Sequence, residues 1–211
     1  MEKTIFLIRH AEAAGIDEQK RYLGQQDPGL SPLGMLQAEK LCLAFTSFPI
    51  KAVFTSDLVR AVNTASLIAN DHHCPIEKIK EFREINLGTW EGKTFQEIQA
   101  QYTEEYEQRG RDIANYRTPG GESFADLQKR ALPAFMNVAE KVEGDVVIVA
   151  HAGVNRVILC HLMQRPLQEL FCIPQDYAAV NIIRENKGSY NVIAINMDLG
   201  GLMSFLRNMI G

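Results

Sequence analysis

No two of the four cysteines, Cys42, Cys74, Cys160 and Cys172, form a C-x-x-C pair. In a chain of 211 residues, thiols scattered in this way read as reduced and mostly buried, so a disulfide scaffold is excluded. Positive charge is not in excess either. Lys and Arg total 22 against 26 Asp and Glu, for a net charge of −4. That argues against general binding to nucleic acid or an anionic membrane, while leaving room for a local basic pocket. Long apolar runs are missing: Ile5-Phe6-Leu7-Ile8 is followed at once by Arg9. Four apolar residues are too few for a membrane span or a signal peptide, and the expected compartment is the cytoplasm. Repeats, low-complexity tracts and linker-like stretches are also absent, so a single domain over residues 1–211 is expected. What is present is ordinary for a folded chain. Apolar residues make up 46% and charged residues 23%, enough to bury a sizeable core and to exclude bulk disorder.

The pattern along the chain alternates strands with helices. Ile5-Phe6-Leu7-Ile8, Ala52-Val53-Phe54-Thr55 and Val146-Val147-Ile148-Val149-Ala150 are continuous apolar runs, as expected for strands covered on both faces. Ser31-Pro32 reads as an N-cap followed by Pro at the first helical position. That helix should run to about Phe48, with Leu33, Leu36, Leu41 and Phe45 toward the core. Ser56 is expected to cap a helix to about Ala69 that buries Leu58, Val62, Ala65 and Ile68 or their neighbours. Thr94 opens a polar helix to about Arg109, with Tyr102 and Tyr106 on an exposed, lid-like face. A further helix spans about Ser123 to Val142, bent at Pro133, and another follows Ala150 to about Met163. Residues 178–183 and 190–195 should be antiparallel neighbours turning through Asn186-Lys187-Gly188. These elements predict a three-layer α/β/α sandwich, a mostly parallel central sheet with an antiparallel edge strand.

In open α/β sheets ligands bind beyond the carboxyl ends of the strands. Arg9 and His10 follow the first strand, and Ser56-Asp57, then Arg60, follow the second. Arg83 and Glu84 lie near a third, and His151, Ala152 and Gly153 follow the strongest. Singly, each has an ordinary structural explanation. Together, at the same kind of strand end, they point to phosphoryl chemistry. A neutral imidazole attacks phosphorus, guanidinium forks clamp phosphate oxygens, a helix start at Ala152-Gly153 offers backbone N–H groups, and a carboxyl group can protonate a leaving oxygen. Arg60 sits near a helix N-terminus, where the macrodipole disfavours a cation, and a bound anion would offset that cost. His72-His73-Cys74 reads as a solvated loop and Cys160-His161 as helix packing, and no metal-ligand cluster is visible.

Six segments resemble those of the histidine phosphatase superfamily, also called phosphoglycerate mutase-like. They are Leu7-Ile8-Arg9-His10-Ala11-Glu12; Leu30-Ser31-Pro32-Leu33-Gly34 with Gln37-Ala38; Ser56-Asp57-Leu58-Val59-Arg60-Ala61 with Thr64-Ala65; Glu84-Ile85-Asn86-Leu87-Gly88-Thr89-Trp90-Glu91-Gly92; Pro119-Gly120-Gly121-Glu122-Ser123; and His151-Ala152-Gly153. The resemblance implies that His10 is the phosphorylated nucleophile and Glu84 the proton donor. It also implies that Arg9, Arg60, His151 and the backbone at Ala152 bind phosphate, with no metal and no cofactor. The sequence departs from the family pattern at Ala11, where the motif has Gly, and at Ala13 and Ile16, where the family often has Ser or Thr and then Asn. A neighbouring loop residue such as Gln25 could make up the missing polar contact.

The turn after Glu84 and the shortness of the chain resemble the phosphatase branch, with its α-ribazole phosphatase and broad phosphomonoesterase members. The expected function is a metal-independent phosphomonoesterase acting on a small phosphorylated metabolite. A phosphoglycerate mutase and a non-catalytic phospho-ligand binder are the alternatives. Expected partners are a small-molecule phosphate ester and, at the level of assembly, a second copy in a homodimer.

Overall fold

The structure is a computed structural model that describes residues 2–15 and 21–210. Six strands form one sheet: β1 (Lys3–Arg9), β2 (Ala52–Thr55), β3 (Ile76–Lys78), β4 (Val146–Ala150), β5 (Val180–Asn186) and β6 (Ser189–Met197). Their order across the sheet is β3-β2-β4-β1-β5-β6. The β1, β2, β3 and β4 pairings are parallel, while β5 is antiparallel to both β1 and β6. The antiparallel edge is the hairpin expected from the two β-rich runs. Its two-residue turn, Lys187-Gly188, has positive φ at both positions (51° and 80°), the geometry that matches the twist of paired strands.

Alternation along the strands divides the core. Ile5, Leu7, Val146 and Ile148 face one layer of apolar side chains, built by α5 (Phe124–Lys141) and α6 (Ala152–Leu162). Phe6, Ile8, Val147 and Val149 face the other, built by α1 (Pro32–Phe45), α2 (Val59–His72) and α7 (Leu199–Ile210). Helices on both sides explain why these strands are apolar without a break. Two short helices, α3 (Phe95–Gln101) and α4 (Thr103–Arg111), stand where a single polar helix was expected, with the break at Tyr102.

Several local expectations need correction. Leu33 and Leu36 are each 53% exposed. The buried stripe of α1 is instead Gly34, Ala38, Leu41 and Phe45, and Gly34 is needed because a Cβ there would lie 2.0 Å from the Glu12 carbonyl oxygen. Ser56 does not cap α2. The Ncap position is Leu58, and the Val59 N–H donates 2.6 Å to Asp27 Oδ1, a cap supplied by a distant loop. Val62 is only partly buried. Tyr102 and Tyr106 pack against the core rather than standing exposed. The α7 helix was not foreseen. His72 and His73 end α2, and among the described residues no group of three or more His, Cys, Asp or Glu could hold a metal ion. No described helix is long and apolar enough to cross a membrane.

Candidate active site

Register brings the site together. Arg9 pairs with Ala150, and Thr55 with Val149, so the carboxyl ends of β1, β4 and β2 lie side by side. The His10 N–H then donates to the Ala150 carbonyl at 3.0 Å, and the Ser56 N–H to that of Val149 at 3.0 Å. Because β1 ends at Arg9, the alternation of side chains ends with it, and Arg9 and His10 both line one cleft of about 610 Å³. Arg60, Glu84 and Ala152 line it too. His151 is fully buried beside it, its ring centroid 5.0 Å from that of His10.

His10 is buried, and its Nδ1 lies 2.7 Å from the Ala11 carbonyl oxygen. A carbonyl only accepts, so Nδ1 carries the proton and Nε2 keeps its lone pair. That lone pair accepts from Arg60 Nε at 3.2 Å. Burial first, then the Arg60 and Arg9 charges, hold the His10 pKa well below the ordinary imidazole value, so the ring is neutral near pH 7. Burial and the same charges, with His10 itself, do likewise for His151.

Arg60 is almost completely buried and is aimed by two loop carbonyls, with Nη1 donating to Gln26 at 2.5 Å and Nη2 to Gly24 at 2.8 Å. Arg9 donates from Nη1 to the Gln175 carbonyl at 2.5 Å, and its guanidinium lies 3.7 Å from the centroid of the Tyr177 ring. Three buried nitrogens, Arg9 Nε and both ring nitrogens of His151, have no hydrogen-bond partner among the described residues. Unsatisfied buried nitrogens are costly, and an oxyanion entering between them would satisfy some of them.

Glu84 is held from both sides. Oε1 accepts from its neighbour's N–H, that of Ile85, at 2.9 Å, and Oε2 accepts from the Gly153 N–H at 3.1 Å. A Cβ on Gly153 would lie 2.3 Å from Oε1, so this approach depends on glycine. One of the expected backbone donors of α6 is therefore occupied by Glu84. Arg130, which sequence reasoning missed, fastens the same turn: it donates to the carbonyls of Glu81, Arg83 and Glu84 at 2.6, 2.8 and 3.0 Å and forms a fork to Glu122. Glu122 sits in the Pro119–Ser123 motif, which was the available signal. Tyr177 was missed as well.

Other candidates fall away. Arg83 makes a bidentate pair with Asp57 at 2.7 and 2.6 Å and does not line the cleft. Gln25 does not line it either, since its Nε2 donates to the Glu84 carbonyl at 3.1 Å. Ala13 is buried and bridges to Leu30. Ile16 lies outside the described residues.

Comparison with known proteins shows the fold and the family. The Bacillus stearothermophilus protein YhfR is similar in structure, with a TM-score of 0.85, 31% identity, and coverage of 95% of this chain and 99% of that one. The α-ribazole phosphatase of Shigella flexneri has a TM-score of 0.83 at 25% identity, covering 92% and 96%. The rat 6-phosphofructo-2-kinase/fructose-2,6-bisphosphatase 4 is 34% identical over 170 residues, 80% of this chain. The chain spans about a third (34%) of that relative's length. The profile of the histidine phosphatase superfamily (branch 1) matches residues 5–198, and the chain belongs to that family.

Proposed function

We propose that this protein hydrolyses a small phosphate monoester through a phosphohistidine at His10, without a metal ion. The observation that carries the reading is the His10 imidazole, neutral, with its proton fixed on Nδ1 and its Nε2 lone pair turned to the buried Arg60. In the first step Nε2 attacks phosphorus and the P–O ester bond breaks. The leaving oxygen takes a proton from the Glu84 carboxyl group and departs as an alcohol. Arg9, Arg60 and His151 surround the phosphoryl oxygens, where fixed donors favour the charge that develops in the transition state. In the second step Glu84 takes a proton from water, the water oxygen attacks phosphorus, and the N–P bond breaks to release phosphate and restore His10. Positive charge comes from guanidinium groups, so no metal is required by the scheme.

The substrate is set by the cleft wall beyond the phosphate. α-Ribazole 5'-phosphate is the candidate supported by the Shigella relative, and fructose 2,6-bisphosphate the one supported by the rat relative. A phosphate-release screen over these and 3-phosphoglycerate, with and without EDTA, tests the reading. Release that survives EDTA is expected. Isomerisation of 3-phosphoglycerate without release would indicate a mutase instead. Glu84→Gln should cost about 10²–10⁴-fold in kcat/KM on alkyl phosphates and much less on 4-nitrophenyl phosphate, whose leaving group needs little protonation. Equal losses on both would remove Glu84 from the acid role.

A further inference from the structure

Arg60 and Glu84 line the same cleft but are carried by segments far apart in the sequence. Arg60 takes its aim from the Gly24 and Gln26 carbonyls, in the loop that precedes α1. Glu84 stands at the start of a turn that runs on to Gly92. The two carriers meet at the carboxylate of Glu91. Its Oε1 accepts from the Gln25 N–H at 2.9 Å and from the Leu87 N–H at 3.1 Å. Gln25 lies between the two residues whose carbonyls aim Arg60, and Leu87 lies in the Glu84 turn. One charged oxygen therefore bonds both, and hydrogen bonds to an ionised acceptor are the stronger kind.

The loop is shaped around this contact. Its ends have other anchors: the Tyr22 N–H donates to the Lys93 carbonyl at 2.9 Å, the Gly92 N–H to the Tyr22 carbonyl at 2.8 Å, and Asp27 caps α2. Between those anchors Gly24 has φ 52°, in the left-handed region, and a Cβ on it would collide with the Glu91 carboxylate. Glycine thus lets the backbone that holds Arg60 close directly onto Glu91. Gln25 adds a second tie through the bond from its Nε2 to the Glu84 carbonyl. Glu91 itself does not line the cleft, so any effect on catalysis passes through the groups it holds.

We propose that Glu91 is a positioning residue that fixes the spacing between the phosphate-binding Arg60 and the proton donor Glu84. This rests on the phosphatase reading above, which gives those two residues their roles. A displacement of about 1 Å between reacting groups can cost on the order of 10²-fold, so a single support shared by both is a sensitive point.

Arg60 and Glu84 leave different kinetic traces. The grip of Arg60 is read from inhibition by inorganic phosphate. The acid role of Glu84 is read from the kcat/KM ratio of 4-nitrophenyl phosphate over an alkyl phosphate. In Glu91→Leu both should move together, the phosphate Ki and the ratio each rising about tenfold. Glu91→Asp, one methylene too short to reach both N–H groups, should move both in the same direction, and it decides the matter if Glu91→Leu does not fold. Glu91→Gln keeps an oxygen that can accept both bonds and should stay close to wild type. A folded Leu or Asp variant that loses only thermal stability overturns the proposal. So does a change in one trace without the other, or a Gln variant as damaged as the Leu variant. If the wild type releases phosphate from no ester, the phosphatase reading fails. Calorimetric titration with inorganic phosphate then decides the hold on Arg60 alone: weaker binding in the Leu and Asp variants supports it, and unchanged binding, or none in the wild type, overturns it.

Discussion

Gly153 shows how much one hydrogen atom decides at this site. Its missing side chain lets α6 start against Glu84, with the N–H on one carboxylate oxygen and the space of a Cβ occupied by the other. A methyl group there would sit 2.3 Å from Glu84 Oε1 and 3.3 Å from Leu127 Cδ2, and the carboxylate would have to yield because the leucine is core. Displacing a proton donor by about 1 Å can cost on the order of 10²-fold. Gly153→Ala is therefore expected to lower kcat/KM on alkyl phosphates by roughly 10–10²-fold, with a smaller loss on 4-nitrophenyl phosphate. Steady-state kinetics on the two substrates check this, and a loss equal on both would mean that the substitution disturbs the phosphate pocket instead. At this scale the residues proposed to act on the phosphate were legible as a group, since His10, Arg9, Arg60 and Glu84 line one cleft and His151 lies beside it. The residues that aim them were not. Arg130 and Tyr177 act by folding back on a backbone turn and on a guanidinium, contacts with no local pattern in the sequence.

Elements were legible where a signal was both local and strong. Val146–Ala150 was read with its observed bounds, and the Ser123 and Thr94 starts are true capping boxes, with Asp126 and Glu97 returning the bond. Ser123 Oγ accepts from the Asp126 N–H at 3.1 Å, and Asp126 is itself forked by Arg117, whose hydrogen bond keeps that carboxyl well below its ordinary pKa. Ser123→Ala removes the side-chain half of this box and should cost about 1 kcal/mol, or a drop of roughly 2–4 °C in Tm for a chain of this size. Thermal unfolding of the variant measures it, and an unchanged Tm would show that the Asp126 half suffices. The misses were elements whose cause lies elsewhere in the chain. The α2 cap is Asp27, more than thirty residues upstream. The β3 strand has three exposed residues, too few to show a period. The α7 helix carries Gly200-Gly201 in its first turn, a poor local helix signal, and is held by Leu202 and Leu206 in the core layer it shares with α1.

For the whole molecule, the three-layer order follows from apolar strands needing cover on both faces, and the position of the site follows from parallel strands ending together. The hairpin at the sheet edge was readable from its two β-rich runs, whereas its place beside β1 was not. Burying two neutral histidines also has a global consequence. Their folded pKa values lie below the unfolded value of about 6.5, so between those limits the unfolded chain binds more protons than the folded one. Stability is then full above about pH 6.5 and is lost as pH falls below it, with a slope of up to ~1.4 kcal/mol per pH unit for each histidine. Denaturant unfolding at pH 5 to 7 should show this slope, and His151→Gln should make it shallower. A variant slope equal to that of the wild type would mean that His151 is already charged in the folded state.

The phosphohistidine itself is the claim on which the rest depends. Rapid quenching of the wild type during turnover, followed by peptide mapping under alkaline conditions, should find one acid-labile phosphate, on His10, and none in His10→Ala, which should also release no phosphate. Turnover in His10→Ala at the wild-type rate, or a trapped phosphate on any residue other than His10, would contradict the account.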